Sequence, residues 1–410
     1  MKPVLVIGSG PAGLSAAIHA AASGKRVLLF DRNAQPGVKL LATGGGHANL
    51  GNLLPMPDWP ARFGRQGRFI TPALRFFDTG KYRDWLSGLG VPVFSPDGFH
   101  LYPISNSAKQ VRDALVAEAG KRGVDFRLGT RGERICIAAD GRTSGIIAGG
   151  ETIPGSAVIL AVGGKSLPAS GSNGDSYSLA TEIGHSLNHP LPGLVGLRAA
   201  AWDASLAGIV LENASVRFKS KGSQEITGHR ELLLTHHGVS GPAVLDLSGD
   251  VAASLDRTGG AMLEISWVAG MDRKAWLQEL SVRRTSHGDS RIESLIADRL
   301  PKRLAAWLCR QAGVPAAVTA ATLKNAERDA LVSLLGAFRL AVNNTEGWDK
   351  AIVTRGGIAL GKVNPETLES RIIPRLYFAG EVLDIDGPCG GYNLHWAFAS
   401  GALAGTFCTR

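Results

Sequence analysis

Apolar and polar positions along this chain change period several times, and each change marks an element. Pro3 to Ile7, "PVLVI", is a continuous apolar run with the length of a buried strand, and Leu14 to Ala22 is an Ala-rich stretch with helical spacing. "RVLLF" resumes strand character and ends at Asp31. "ALRFFDTGKYRDWLSGLG" is amphipathic. Ser107 to Gly123 reads as a helix opened by a serine cap and closed by glycine, followed by the strand-like "VDFRLG". "ERICIAAD" and "RTSGIIAGG" read as a hairpin pair, and "SAVILAVGG" as a buried strand ending at Gly163 and Gly164.

From about Leu191 the texture shifts to short strands, in "GLVGLRAAAW", "ASVRFKS", "HRELLLTHHGVSGPAVL" and "GAMLEISWV". From Met271 to Gly336 it becomes helical, with Pro301 interrupting one helix. The pattern predicts an α/β chain with a Rossmann-type domain built from both ends. Residues 1–190 form its first part, 191–270 an inserted β-rich unit, 271–340 an inserted helical unit with return to the β unit, and 341–410 its second part. Ser240, Gly241 and Pro242 read as a helix cap at a structural corner.

Composition narrows the class. The 410 residues are 44% hydrophobic and 19% charged with 53 glycines, which predicts a globular chain rich in backbone turns. A formal charge of +9 favours acidic partners. Arg273, Lys274, Arg283, Arg284, Arg299, Lys302, Arg303 and Arg310 thicken in one region, but no aromatic interleaving or nucleic-acid motif accompanies them, so a small-molecule substrate and not nucleic acid is the expected partner. Cys136, Cys309, Cys389 and Cys408 form no C-x-x-C pair and no metal-ligand spacing, and the adjacent His236 and His237 would point to opposite faces of a strand, so no metal site is expected. Glycines and a proline break the N-terminal apolar run, which therefore reads as fold and not as a targeting segment; no stretch has the length of a membrane span. Cytoplasm is the expected compartment. Nothing in the sequence sets an oligomeric state.

Chemistry enters between the first strand and the first helix. Gly8-Ser9-Gly10-Pro11-Ala12-Gly13 is a G-x-G-x-x-G. Gly8 allows the tight turn, Gly10 lets the backbone approach a pyrophosphate, and Gly13 lets helix and strand pack closely. Asp31 stands near the spacing at which an acid accepts from a ribose hydroxyl. This fingerprint serves NAD and FAD alike. Further on, Gly44-Gly45-Gly46 and Asn49 would leave backbone amides open to a planar or anionic ligand. No second G-x-G-x-x-G marks a separate nicotinamide domain.

The blocks "VIGSGPAG", "KLLATGGGHANLGN", "LAVGGKSLPASGSNGD", "LLLTHHGVSGPAVL" and "TRGGIALGKVNPETLESRIIPRLYFAGEVLDIDGPCGGYNLHWAFASG" resemble, in order and over nearly the whole chain, the BaiN/RdsA group of NAD(P)/FAD-dependent flavoproteins, also called aminoacetone-oxidase-type FAD-binding enzymes. The resemblance implies FAD as cofactor, a β-barrel-like and a helical insertion, and cofactor contacts from both chain ends. At the N-terminal end these are Gly8 to Gly13 with Ser9, Pro11 and Ala12, then Asp31, Arg32, Lys39, Gly45, Gly46 and Asn49. Ala161, Val162 and Gly163 follow in the middle. At the C-terminal end Gly380 and Glu381 would serve the ribityl and pyrophosphate region, and Gly390, Gly391, Tyr392 and Asn393 would face the flavin ring.

The expected chemistry is two-electron transfer through flavin N5, with NAD(P)H as a transient reductant and a small organic acceptor. The alternatives are an oxidase using oxygen, and a non-catalytic FAD-binding redox sensor or scaffold with a basic docking surface. His47, Cys389, Tyr392 and His395 are the candidate acid–base groups. Two of them are departures: the family commonly has Gly-Gly-Gly-Arg-Cys-Asn where this chain has Gly44-Gly45-Gly46-His47-Ala48-Asn49, and Gln where it has His395.

Overall fold

A computed structural model describes residues 2–220 and 224–410. The chain divides into two compact units, Met1–Leu191 with Ile352–Arg410, and Pro192–Ala351.

The first unit is built on a five-stranded parallel sheet. Its strands are β1 (Val4–Ile7), β2 (Val27–Asp31), β3 (Asp125–Leu128), β4 (Ala157–Leu160) and β5 (Leu376–Phe378), in the spatial order β5-β4-β1-β2-β3. Val4 stands opposite both Val27 and Ala157, and Val158 opposite Leu376, so the last strand in sequence lies beside β4. Every residue of β1 and β4 is buried, which is why both read as unbroken apolar runs.

Helices α1 (Pro11–Ala22), α2 (Ala108–Lys121) and α3 (Tyr392–Phe407) flank this sheet. Ser107 caps α2, accepting from the amide of Gln110 at 3.4 Å, as its sequence pattern suggests. The amphipathic stretch after Gly67 is two helices, Gly67–Phe76 and Thr79–Gly88, the second opened by an Asp78 cap. Helix α3 is apolar all round and packs on α1 through small residues: a Cβ on Gly401 would collide with the carbonyl oxygen of Ala12, and one on Gly405 with that of Ala16. Ser15 Oγ crosses the same interface to the Phe398 carbonyl at 2.8 Å.

The second unit is a closed six-stranded barrel. Its strands are Leu197–Ala199, Val210–Phe218, Ile226–Leu234, Gly238–Ser240, Ala261–Ser266 and Phe338–Thr345. Helix Pro242–Thr258 starts with proline in its first turn, and its cap is Gly241, not Ser240. The helices from Arg273 to Gly336 share one apolar core with the barrel, through Trp267, Trp276, Trp307 and Leu335 among others. The β-rich and helical stretches thus make one body rather than two. The expected return at residue 341 moves to 352, because Phe338–Thr345 closes the barrel.

Candidate functional site

The first glycine-rich turn sits at the C-terminal end of β1. Gly8 has φ of 101°, and a Cβ there would run into the Ala161 carbonyl; a Cβ on Gly13 would strike the Gly8 carbonyl oxygen. These two glycines are required by the fold. Gly10 is different. Its φ of −69° and ψ of −176° suit any residue, and a Cβ there would meet no protein atom within 4 Å. Gly10 therefore borders open space beside the first turn of α1, whose N-terminus no side chain caps. Open amides and a positive dipole end fit the charge of a pyrophosphate.

Asp31 braces this turn. Its Oδ2 accepts from the Ser9 amide at 2.7 Å and the Ser9 hydroxyl at 2.6 Å, and its Oδ1 from the Asn33 amide at 2.8 Å. The carboxylate expected to serve a ribose is thus largely spent on the chain itself, with one lone pair left on Oδ1. Arg32 pairs with Asp175 at 3.2 Å. Ala161 is buried with its carbonyl against the Gly8 turn, Val162 follows half-buried, and Gly163 has φ of 72°.

The structure brings Lys39 and Glu381 together from opposite ends of the sequence. Lys39 Nζ lies 2.5 Å from Glu381 Oε2 and 2.6 Å from Ser166 Oγ. Glu381 Oε1 accepts from Ser166 Oγ at 2.9 Å and from the Thr354 amide at 2.6 Å. Neighbouring Gly380 has φ of 75°, and a Cβ on it would lie 2.7 Å from Ala12 Cβ, so this cluster adjoins the fingerprint turn. Ser166 and Thr354 were not singled out by the sequence, since nothing local marks a serine or threonine that answers a distant carboxylate.

Gly44, Gly45 and Gly46 have φ of 56°, 65° and 96°, three successive left-handed residues, and a Cβ on Gly45 would meet nothing within 4 Å. Exposed His47 reaches only the Asn106 carbonyl, at 3.3 Å. The Asn49 side-chain oxygen is buried without a hydrogen-bond partner, 2.7 Å from where a Gly391 Cβ would stand.

The loop before α3 is held from several sides. Asn393 closes it on itself, its Oδ1 accepting from the Gly387 amide and its Nδ2 donating to the Gly387 carbonyl, both at 2.8 Å. Asn52 Nδ2 donates to the Gly390 carbonyl at 2.7 Å. The buried Asp384 receives the Gly356 amide at 3.1 Å and Asn188 Nδ2 at 2.7 Å, while Gln66 Nε2 donates to the Asp384 carbonyl at 2.8 Å. Cys389 is half-buried, and the Tyr392 ring packs against Trp59 at 4.8 Å between centroids.

His395 is a correction to the sequence reading. It lies in the first turn of α3, wholly buried, stacked on Tyr82 at 4.5 Å and edge-on to Trp59 at 5.0 Å. Its Nε2 is 3.0 Å from the Phe77 carbonyl, its Nδ1 has no partner, and burial lowers its pKa to about 4. It is a core residue with no surface open to solvent.

A histidine that the sequence reading passed over does face the loop. His100 opens the strand His100–Pro103, paired with Asn52 of Gly51–Asn52. Its Nδ1 is 2.5 Å from Asp97 Oδ2, and its Nε2 lies 3.6 Å from where a Gly390 Cβ would stand. The signal was the Asp97-x-x-His100 spacing just ahead of a short strand. Among the described residues no group of His, Cys, Asp and Glu could hold a metal ion, and no helix is long and apolar enough to cross a membrane.

Comparison with known proteins decides the family. The sequence profile of the HI0933-like protein Rossmann domain matches residues 2–407. The chain belongs to this HI0933-like family. It is a family of FAD-binding Rossmann oxidoreductases. The chain is 32% identical to the 3-dehydro-bile acid delta(4,6)-reductase of Clostridium scindens, over 99% of this chain and 98% of that protein. It is also 32% identical to the ribosomal RNA dihydrouridine synthase of Escherichia coli, over 97% and 95%. Among solved structures, the 3-ketosteroid-delta4-(5alpha)-dehydrogenase of Rhodococcus jostii shares the fold of the HI0933-like chain, with a TM-score of 0.54 at 18% identity over all of this chain and 97% of that one.

The residues present fit the family's cofactor. In the HI0933-like chain the opening at Gly10 and the uncapped end of α1 suit the pyrophosphate, and the open backbone at Gly45 suits a planar group.

Proposed function

We propose that this flavoprotein transfers a hydride from NADH or NADPH to a small organic substrate whose reducible group is a carbon–carbon double bond conjugated with a carbonyl. The observation that carries the reading is the opening at Gly10 beside an uncapped helix, within a chain matched nearly end to end by a Δ4,6-reductase and a dihydrouridine synthase. Addition of two hydrogens across a double bond is the chemistry those two names share.

Bound FAD supplies a two-electron relay through N5. The protein supplies the rest. Gly8 to Gly13 would hold the pyrophosphate, the Lys39–Glu381 pair would fix the loop behind it, and Gly390 to Tyr392 would border the ring. The N-terminus of α3, which no side chain caps, would stabilise negative charge near it by about 0.3–1 kcal/mol when exposed and up to ~2 when partly buried.

The test is the absorbance spectrum of freshly purified protein, then anaerobic mixing with NADH and NADPH. A yellow protein bleached within a turnover time by one nicotinamide, and recoloured by a conjugated ketone but not by oxygen alone, supports the reading. Folded protein that stays colourless and takes up no FAD refutes it. Rapid reoxidation by oxygen alone makes it an oxidase, and stable flavin that no nicotinamide reduces makes it a sensor.

A further inference from the structure

We propose that His100 is the proton carrier of this reaction, with Asp97 as its positioning residue. The inference rests on the reductase reading above and adds the acid that such a reduction requires.

The geometry is that of a fixed dyad. Asp97 Oδ1 accepts from the backbone amides of Phe99 at 2.9 Å and His100 at 2.8 Å, which pins the carboxylate to the start of the strand. Its Oδ2 faces His100 Nδ1 at 2.5 Å. A carboxylate so engaged accepts and does not donate, so the imidazole carries a proton on Nδ1 and presents Nε2 outward as the exchanging atom. The His100 bond, with the two amides, also holds the Asp97 carboxyl well below the usual carboxylate range, so it stays ionised.

Nε2 faces the loop that both chain ends build. Gly390 has φ of 123°, and the position of its missing Cβ is ringed by the Tyr392 ring edge at 3.4 Å, Phe99 at 3.5 Å and His100 Nε2 at 3.6 Å. The His100 side chain is 20% exposed, enough to exchange protons with solvent. The titratable groups about it are Asp97, Tyr102 at 6.4 Å between ring centroids, and Tyr392 and Cys389 across Gly390. His395 is sealed in the core, and His47 has only a backbone carbonyl to orient it.

A hydride, which the bound cofactor would deliver from NAD(P)H, would add to the β-carbon of the conjugated double bond. The π bond breaks, and its electron pair takes a proton at the α-carbon from Nε2 of the imidazolium. The ring is left neutral with its remaining proton on Nδ1, donated to Asp97 Oδ2, and it takes a new proton at Nε2 from solvent.

The experiment uses holoprotein reduced anaerobically with one equivalent of dithionite. It is mixed with 2-cyclohexen-1-one between about pH 5 and pH 9, and the return of flavin absorbance is followed in wild type, His100→Gln and Asp97→Asn. Flavin content and melting temperature are measured on each. The expected result is reoxidation about 10²–10⁴-fold slower in H100Q, with the pH-dependent limb and the solvent deuterium effect gone. D97N should keep the limb, shifted along the pH axis, with a smaller loss of rate. Equal rates and pH profiles in wild type and H100Q overturn the role of His100 and leave the reductase reading standing. Wild type reduced by dithionite but never reoxidised by the enone overturns the reading itself, and the inference with it. Loss of flavin from both variants would make the dyad structural and also overturn the proposal.

Discussion

Replacing Gly10 with valine should separate cofactor binding from folding, because the three glycines of the fingerprint turn do unlike work. At Gly10 the backbone is extended, with φ of −69° and ψ of −176°, and no protein atom lies within 4 Å of a Cβ. A Cβ there strains nothing. Restricting the unfolded chain favours the native state by about 0.4–1 kcal/mol. Loss of a tolerated N-cap glycine costs about 0.5–1 kcal/mol. The two nearly cancel, and the melting temperature of the FAD-free protein should stay within about 3 °C of wild type.

Binding should suffer instead. The new side chain stands where backbone amides meet the pyrophosphate. Losing one hydrogen bond to a charged group costs about 1.5–3 kcal/mol, which is roughly 10- to 150-fold in Kd. Gly13→Ala is the contrasting variant. Its Cβ collides with the Gly8 carbonyl oxygen, and overpacking of about 1–3 kcal/mol should lower the melting temperature with or without FAD. Flavin fluorescence titration and thermal unfolding of both variants, with and without FAD, read the two effects separately. G10V that binds FAD as tightly as wild type, or FAD-free G10V that melts as early as G13A, would refute the reasoning.

Other variants probe the rest of the site. In a double-mutant cycle, Lys39→Met and Glu381→Gln should show a coupling of about 1–2 kcal/mol in thermal or urea unfolding, between the values for exposed and buried pairs because both side chains are 21% exposed; strict additivity would deny the pair. Gly401→Ala and Gly405→Ala should each cost about 1–3 kcal/mol by forcing α1 from α3, read as a lower urea midpoint together with faster FAD loss. His395 is neutral in the fold, with its pKa lowered to about 4, so the stability it contributes is complete above the usual histidine pKa and fades as pH falls toward 4. Between pH 7 and pH 5 that amounts to about 2 kcal/mol. His395→Gln keeps a donor for the Phe77 carbonyl without the titration, and should be less sensitive than wild type over this window by that amount; parallel pH curves would contradict it.

The parts of the site that were legible in the sequence are those in which a local backbone need forces a residue type. Gly8 and Gly13 are such places, and so is the run Gly44 to Gly46, where three left-handed residues follow one another. The continuous apolar runs of β1 and β4 announced strands buried on both faces. Residues whose role depends on a distant partner were harder to place. Asp31 was read as a ribose acceptor because spacing says nothing of Ser9, which takes most of its bonding capacity. His395 was read as an acid–base candidate beside the ring, whereas Trp59 and Tyr82, more than 300 residues earlier, enclose it. His100 was passed over for a similar reason: its importance lies in Gly390, which only the folded chain brings beside it.

The arrangement of the parallel sheet carries a consequence for biosynthesis. Strand β5 and helix α3 come from the final stretch of the chain, yet β5 completes one side of the sheet and α3 packs on the helix that follows the first strand. A nascent chain halted at residue 351 would have β1 to β4 and the barrel strands, but neither Glu381 to hold Lys39 nor the Gly390 loop. Cofactor loading is therefore expected only after β5 and α3 have left the ribosome. Truncated translation products should reach the cell as apoprotein with the α1 packing face uncovered, the kind of apolar surface that chaperones and proteases recognise.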